Sequence, residues 1–231
     1  MLNVLKIKYN PENIFAVSDL HYDHDKDFIW RKRGFSSVEE SNEKLVERWN
    51  QTCNESSIVF HLGDFVFGDP NAAKFEYLIK TLNFGTLFIL PGNHTSGYRQ
   101  KYFEILGKQF KVSNQEVYPL EYNEGSKRVV FLPNLVDVHV NGVPYVLCHY
   151  PIASWQSQGK GSIHLSGHTH SNYPPTARES GFGYQIDVGI ENFGRPVSFT
   201  EIDDIIKTRN IHAVDHHGGQ IYSSENLPTR K

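Results

Sequence analysis

The chain has 231 residues, 39% hydrophobic and 13% aromatic, which is enough to bury a sizeable core and too apolar for a disordered chain. Its formal net charge of −3 excludes a strong basic field for nucleic acid and an acidic tail for a basic partner. No stretch approaches the roughly 18 apolar residues of a membrane helix, and the two cysteines, Cys53 and Cys148, cannot staple a fold.

The N-terminal run is broken by Asn3, Lys6 and Lys8, so it does not read as a signal peptide. A reducing, cytoplasmic setting is expected, the host cytoplasm if the chain is viral. Ile14-Phe15-Ala16-Val17 is a short apolar run and predicts a buried strand opening into a polar loop at Ser18-Asp19. Ser36-Ser37-Val38-Glu39-Glu40 carries a capping-box pattern, and Val38, Leu45, Val46 and Trp49 follow at helical spacing, predicting an amphipathic helix near 37–50. Ile58 to Leu62 reads as a second strand, about Asn71 to Leu82 as a second helix, and Thr86 to Leu90 as a third strand. This βαβαβ order predicts a parallel sheet covered by helices.

The second half reads differently. Val136 to Val140, the turn Asn141-Gly142, and Val143 to Leu147 predict a hairpin. Ser162–Ser166, Tyr184–Val188 and Pro196–Phe199 are further strand candidates. Thr200 to Arg209 predicts a helix capped by Thr200 and Asp203. The expected organisation is one domain over 1–231, with a polar, loosely held tail from about 213 that carries His216 and His217.

The chemistry concentrates in five segments: Asp19-Leu20-His21, Gly63-Asp64, Gly92-Asn93-His94, His149, and Gly167-His168-Thr169-His170. The first three follow predicted parallel strands, and in open α/β sheets sites form at the carboxyl ends of strands. Asp19 and His21 at a strand end point the same way and can grip one ion. Asp64 has two oxygens and can bridge two ions. Asn93 offers an amide oxygen, and His149, His168 and His170 offer imidazoles. Such a set predicts a two-metal site and hydrolysis, above all of a phosphate ester. Imidazole, carboxylate and amide together suit Mn, Fe, Zn, Co or Ni better than Ca or Mg; Mn is favoured.

In that order and spacing the chain resembles the calcineurin-like metallophosphoesterases, matching D-x-H, G-D, G-N-H, H and G-H-x-H residue by residue. The resemblance runs from about Phe15 to Ile202 and includes His61-Leu62-Gly63-Asp64-Phe65, His149-Tyr150-Pro151-Ile152 and Arg195-Pro196-Val197-Ser198. That text is similar to small, compact bacterial and phage members. The resemblance implies an α/β fold: a four-layer α/β/β/α sandwich with two central mixed sheets and a dinuclear site on the strand-end rim. It implies one metal on Asp19, His21, Asp64 and His170, and a second on Asp64, Asn93, His149 and His168. It gives His94 a catalytic role at the substrate, stabilising charge or protonating the leaving oxygen, and implies in-line attack on phosphorus by a hydroxide between the metals.

Two departures matter. Thr95 stands where the family usually has an acid, which weakens His94 as a general acid. Phe65-Val66-Phe67-Gly68-Asp69 lacks the Asp-Arg pair of protein phosphatases. The expected substrate is therefore a phosphodiester or small nucleotide. Phosphomonoesterase and nuclease are the alternatives on the same fold, and a non-catalytic binding scaffold is the rival of another class. Candidate substrate contacts are His24, Arg31, Arg33 and Arg99, although the basic run Arg31-Lys32-Arg33 equally suits a solvated face. Nucleic acid is a weakly supported partner and a membrane is not expected. Tyr22, Tyr150 and Trp155 adjoin the ligand loops and could stack on a base or belong to the core. His61 and His164, within apolar strands, read as hydrogen-bonded core histidines.

Overall fold

A computed structural model describes residues 5–7, 10–69, 72–94, 120–178, 183–212 and 221–222. The strands are β1 (Leu5–Ile7), β2 (Ile14–Val17), β3 (Ile58–His61), β4 (Thr86–Ile89), β5 (Leu120–Glu124), β6 (Lys127–Phe131), β7 (Leu135–Val140), β8 (Val143–Cys148), β9 (Ile163–Ser166), β10 (Gln185–Asp187), β11 (Val197–Ser198), β12 (Ile211–His212) and β13 (Ile221–Tyr222). The helices are α1 (Asp27–Trp30), α2 (Val38–Thr52), α3 (Ala73–Thr81), α4 (Ile190–Phe193) and α5 (Phe199–Lys207).

Two mixed sheets form, ordered β11-β2-β3-β4-β6-β5 and β1-β7-β8-β9-β10. In the first, β2, β3, β4 and β6 run parallel, with antiparallel strands at both edges. Strand alternation decides what each face meets. Ile14, Ala16, Phe60 and Phe88 join one buried cluster with Val138, Tyr145, Leu147, Ile163, Leu165 and Ile186 of the second sheet. Their neighbours Phe15, Val17, Val59, Leu87 and Ile89 join Leu45 and Trp49 of α2 and Phe75, Leu78 and Ile79 of α3. A sheet buried on both faces reads as an unbroken apolar run, which is why these strands were legible as Ile14–Val17 and Thr86–Leu90.

The local signals act as their chemistry requires. Ser37 caps α2 by accepting from Glu40 N at 3.1 Å, and the Glu40 carboxylate reaches back to Ser36 N at 2.7 Å. Asn141 and Gly142, at φ 50° and 87°, turn β7 into its antiparallel partner β8.

Three expectations need correction. The cap of α5 is Ser198, which accepts from Glu201 N at 3.1 Å; Ser-x-x-Glu outcompetes the later Thr200, so Phe199 lies in the helix and not in a strand. His61 is buried as expected, but neither ring nitrogen has a partner among the described residues. Within the supposed loose tail, Ile221–Tyr222 pairs with β12; Asn71, Thr95, Arg99, His216 and His217 lie outside the described residues. Among the described residues no helix is long and apolar enough to cross a membrane.

His164 behaves as predicted. Its Nδ1 meets Val146 O at 2.9 Å and its Nε2 accepts from Ile152 N at 3.2 Å. Burial pushes this imidazole down from 6.5 to about 4. Between those pH values the unfolded chain takes up a proton here that the folded chain refuses, so stability is lost as pH falls through the window. At about 1.4 kcal/mol per unit the loss is about 3 kcal/mol. Urea unfolding from neutral to acid pH should show His164→Gln losing less stability than wild type by that amount. Parallel curves would contradict it.

Candidate metal centre

The site is built by loops that keep pairing after their strands have ended. Beyond β2 and β3, Asp19 N donates to Gly63 O at 3.1 Å, His21 N to Asp64 O at 2.9 Å and Tyr22 N to Phe65 O at 3.1 Å. On the other sheet Gly167 N donates to His149 O at 2.9 Å. The sheets are tied at this rim, with Ser18 N donating to Val188 O and Ile190 N to Ser18 O, both at 3.1 Å. His168 N reaches across to Asp19 Oδ2 at 2.8 Å.

The backbone here is unusual. Asp19, His21, Asp64, His168 and His170 have φ of 56°, 45°, 56°, 69° and 47°. Left-handed non-glycine residues are uncommon, cost about 1–3 kcal/mol each and cluster at functional sites. Extended-strand geometry is therefore not what aims Asp19 and His21 together; left-handed turns are. Close approach explains the neighbouring glycines. A Cβ on Gly92 would lie 2.1 Å from Asp64 Oδ1, and one on Gly167 would lie 2.3 Å from Asp19 Oδ2.

Seven expected ligand positions converge. Oxygen and nitrogen atoms of Asp19, His21 and His170 lie within 4.8 Å of one another, as do those of Asp19, Asp64 and His149. Asp64 Oδ2 is 3.5 Å from Nε2 of both His21 and His149. Asn93 Oδ1 is 3.0 Å from His149 Nε2 and 3.0 Å from His168 Nδ1. Asp19 reaches both groups, a sharing that the sequence assigned to Asp64 alone.

The donor set fits divalent cations. His149 Nδ1 lies 2.8 Å from Leu62 O; a carbonyl only accepts, so this nitrogen carries the proton. Burial pushes the His149 imidazole below its ordinary pKa, so Nε2 presents a lone pair to two oxygens. Asp19 Oδ1 and His21 Nε2 are buried with no hydrogen-bond partner among the described residues. Burial, then His170 and Arg33, hold His21 neutral, and burial raises the Asp19 carboxyl well above its usual range. Two atoms about 2.1 Å from one ion at tetrahedral angles would lie about 3.4 Å apart; Asp64 Oδ2 stands 3.5 Å from Nε2 of His21 and of His149, and Asp19 Oδ1 stands 3.8 Å from His21 Nε2.

The supporting residues were not foreseen. His170 Nδ1 meets Glu191 Oε1 at 3.0 Å. Burial pulls the His170 imidazolium down, but the Glu191 hydrogen bond and charge and Asp19 outweigh it and raise its pKa. Burial alone would raise the Glu191 carboxyl, yet His170 and Arg33 hold it at about 2. Asp187 Oδ2 accepts from Thr169 Oγ1 at 2.9 Å and Ser171 N at 3.3 Å, bracing the loop of His168 and His170. A carboxylate inside a predicted strand, Asp187, and another just beyond it, Glu191, were the available signals.

The last residue of the basic run is turned into the protein. Arg33, its side chain 4% exposed, donates Nε to Glu191 Oε1 at 2.9 Å, NH1 to Leu20 O at 2.8 Å and NH2 to Asp19 O at 2.7 Å. Its buried guanidinium is held between the Asp19–Leu20 carbonyls and Glu191, which corrects the expected substrate contact. Lys32 holds His170 O and, at 3.0 Å, Asn172 Oδ1. Arg31 is exposed and faces Asp27 Oδ2 at 3.5 Å. His24 lies at the cluster, its ring 5.5 Å from that of His21 and stacked 3.8 Å from Phe67; burial, then His94, push its pKa down. His94 is exposed, donates its backbone N to Asp64 Oδ1 at 2.8 Å and sets its ring 5.4 Å from that of His21. Trp155 is buried and donates to Ser162 O at 3.1 Å, a core role, whereas Tyr150 is exposed.

A family model described as calcineurin-like phosphoesterase matches residues 13–224. An uncharacterized protein of Methanocaldococcus jannaschii is 27% identical over 197 residues, 84% of this chain and 91% of that one. The gene 66 protein of Mycobacterium phage L5 is 26% identical over 205 residues, 84% of this chain and 94% of that one. A crystal structure of a protein of unknown function from Aquifex aeolicus superposes with a TM-score of 0.55 at 18% identity, covering 83% of this chain and 98% of that one.

Proposed function

The chain belongs to the calcineurin-like phosphoesterase family, and we propose that it hydrolyses a phosphodiester, such as that of a small nucleotide, at a centre of two divalent cations. Asp19, His21, Asp64 and His170 would hold one cation; Asp64, Asn93, His149 and His168 would hold the other. The observation that carries this reading is the position of Asp64 Oδ2, 3.5 Å from an imidazole nitrogen of each group. When bound, such a pair of cations supplies a water acidic enough to attack at neutral pH and positive charge against the phosphoryl oxygens.

The chain's own residues do the rest. Leu62 O and Glu191 fix the tautomers of His149 and His170 so that the other ring nitrogen faces inward. His94 stands exposed over His21 and Phe67, within reach of a leaving oxygen that needs a proton. No acid follows it in sequence to charge the ring, so its contribution belongs at the low end of the about 10²–10⁴-fold that positioned acids supply.

A diester is favoured over a monoester on charge. A dianionic monoester asks for more positive side chains, yet Arg33 and Lys32 are already engaged with the protein. With saturating Mn²⁺, the bis-p-nitrophenyl ester should be hydrolysed with higher kcat/KM than the p-nitrophenyl monoester. His94→Ala should lower turnover by about 10²-fold while keeping both metals. A clear monoester preference would move the substrate class. Two bound metals with no hydrolysis of either ester would favour a binding scaffold.

A further inference from the structure

Five large hydrophobic side chains are exposed among the described residues: Phe28 at 65%, Tyr77 at 49%, Leu135 at 39%, Tyr150 at 44% and Tyr173 at 43%. Single exposed apolar residues need no explanation, but a collected set does. Four of these five are aromatic and border the metal loops. Phe28 meets the edge of His24 at 5.7 Å. Tyr150 meets His168 at 4.5 Å and His149 at 4.9 Å. Tyr77 packs 5.9 Å from Tyr22, the residue after His21, and Tyr173 follows His170 by three positions.

The rings fall on two flanks. On one, Phe28, His24, Phe67 and His94 form a continuous series, with Phe67 3.8 Å from His24 and 5.2 Å from His94. That flank adjoins the His21 group. On the other, Tyr150 stands against His149 and His168, the second group. A phosphate seated between the groups would have the Phe28 series toward the His21 group and Tyr150 toward the His149 and His168 group.

We infer that the substrate is a phosphodiester bearing a flat heterocyclic ring on each arm, a dinucleoside phosphate, and that Phe28 and Tyr150 select it by stacking. The inference rests on the hydrolytic reading above and deepens it. Stacking on an exposed ring tolerates any base, because every base has a π face. A monoester would use one flank and leave the other idle. A short ligand fits better than a strand, since the exposed cations beside Phe28, Lys26 and Arg31, each face an acid, at 3.8 Å and 3.5 Å. A strand would need a charged track along its backbone.

The test compares two esters with the same leaving group under saturating Mn²⁺: the p-nitrophenyl ester of thymidine monophosphate and ethyl p-nitrophenyl phosphate. Wild type should show a KM about tenfold or more lower for the thymidine ester. Phe28→Ala combined with Tyr150→Ala should bring the two KM values together. Both side chains are partly or largely in solvent, and Phe28→Ala alone and Tyr150→Ala alone, checked by circular dichroism, guard against misfolding. Hydrolysis of both esters with equal wild-type KM would overturn the inference and leave the hydrolase intact. Hydrolysis of neither would sink both. An efficiency that climbs steadily from dinucleotide to longer oligothymidylates would overturn it in favour of a strand-tracking nuclease. A change in oligomeric state of the double variant with the KM ratio unmoved would assign the rings to a subunit contact instead.

Discussion

Asp64→Asn should cost more activity than any other single change at the ligand positions. Removing an outer partner of a metal ligand costs about 10–100-fold; losing a carboxylate shared by two ions should exceed that. The amide keeps the volume, and its oxygen can still accept from His94 N, which meets Asp64 Oδ1 at 2.8 Å. The other position lies 3.5 Å from the His21 and His149 nitrogens. There the variant loses a negative charge and gains an N–H in place of a ligand atom. Turnover and metal content measured together decide the matter. Activity within tenfold of wild type, with both metals retained, would remove Asp64 from the bridging position.

Arg33→Met should destabilise the fold by about 3–5 kcal/mol, the cost of leaving a buried charge without its partner. Glu191 keeps His170 but loses its cation, and the carbonyls of Asp19 and Leu20 lose their donors. Adding Glu191→Leu should recover part of the loss, because it removes the stranded carboxylate. Urea unfolding of the two variants measures both effects. A single variant within about 1 kcal/mol of wild type, with a raised KM, would return Arg33 to the substrate contact that its sequence context implied.

That contrast marks where sequence reading ended. Ile14–Val17 and Thr86–Ile89 could be read because a strand buried on both faces is apolar at every position. The D-x-H and G-H-x-H segments could be read because few other uses combine those side chains behind a buried strand. The hairpin of β5 and β6 was missed: Leu120–Glu124 alternates weakly and opens onto polar residues. Glu191 and Asp187 were missed because a supporting acid acts through partners distant in sequence, and sequence does not show which loop it will meet. Arg33 was misread for a related reason. A three-residue basic run looks solvated until the fold turns its last member inward against two carbonyls and a carboxylate. The cap of α5 was an error of priority, since Ser198-x-x-Glu201 was as visible as Thr200.

The left-handed backbone at the ligand positions sets stability and chemistry against each other. At His21, whose ring nitrogens have no hydrogen-bond partner among the described residues, glycine would adopt the same φ without steric cost, so replacing that residue relieves strain even as it deletes a proposed metal contact. A laboratory selection for heat resistance alone, run on variants of this chain, would therefore drift toward glycine there and dismantle the proposed centre while relaxing the backbone. Only a screen that also demands turnover would hold the imidazole in place.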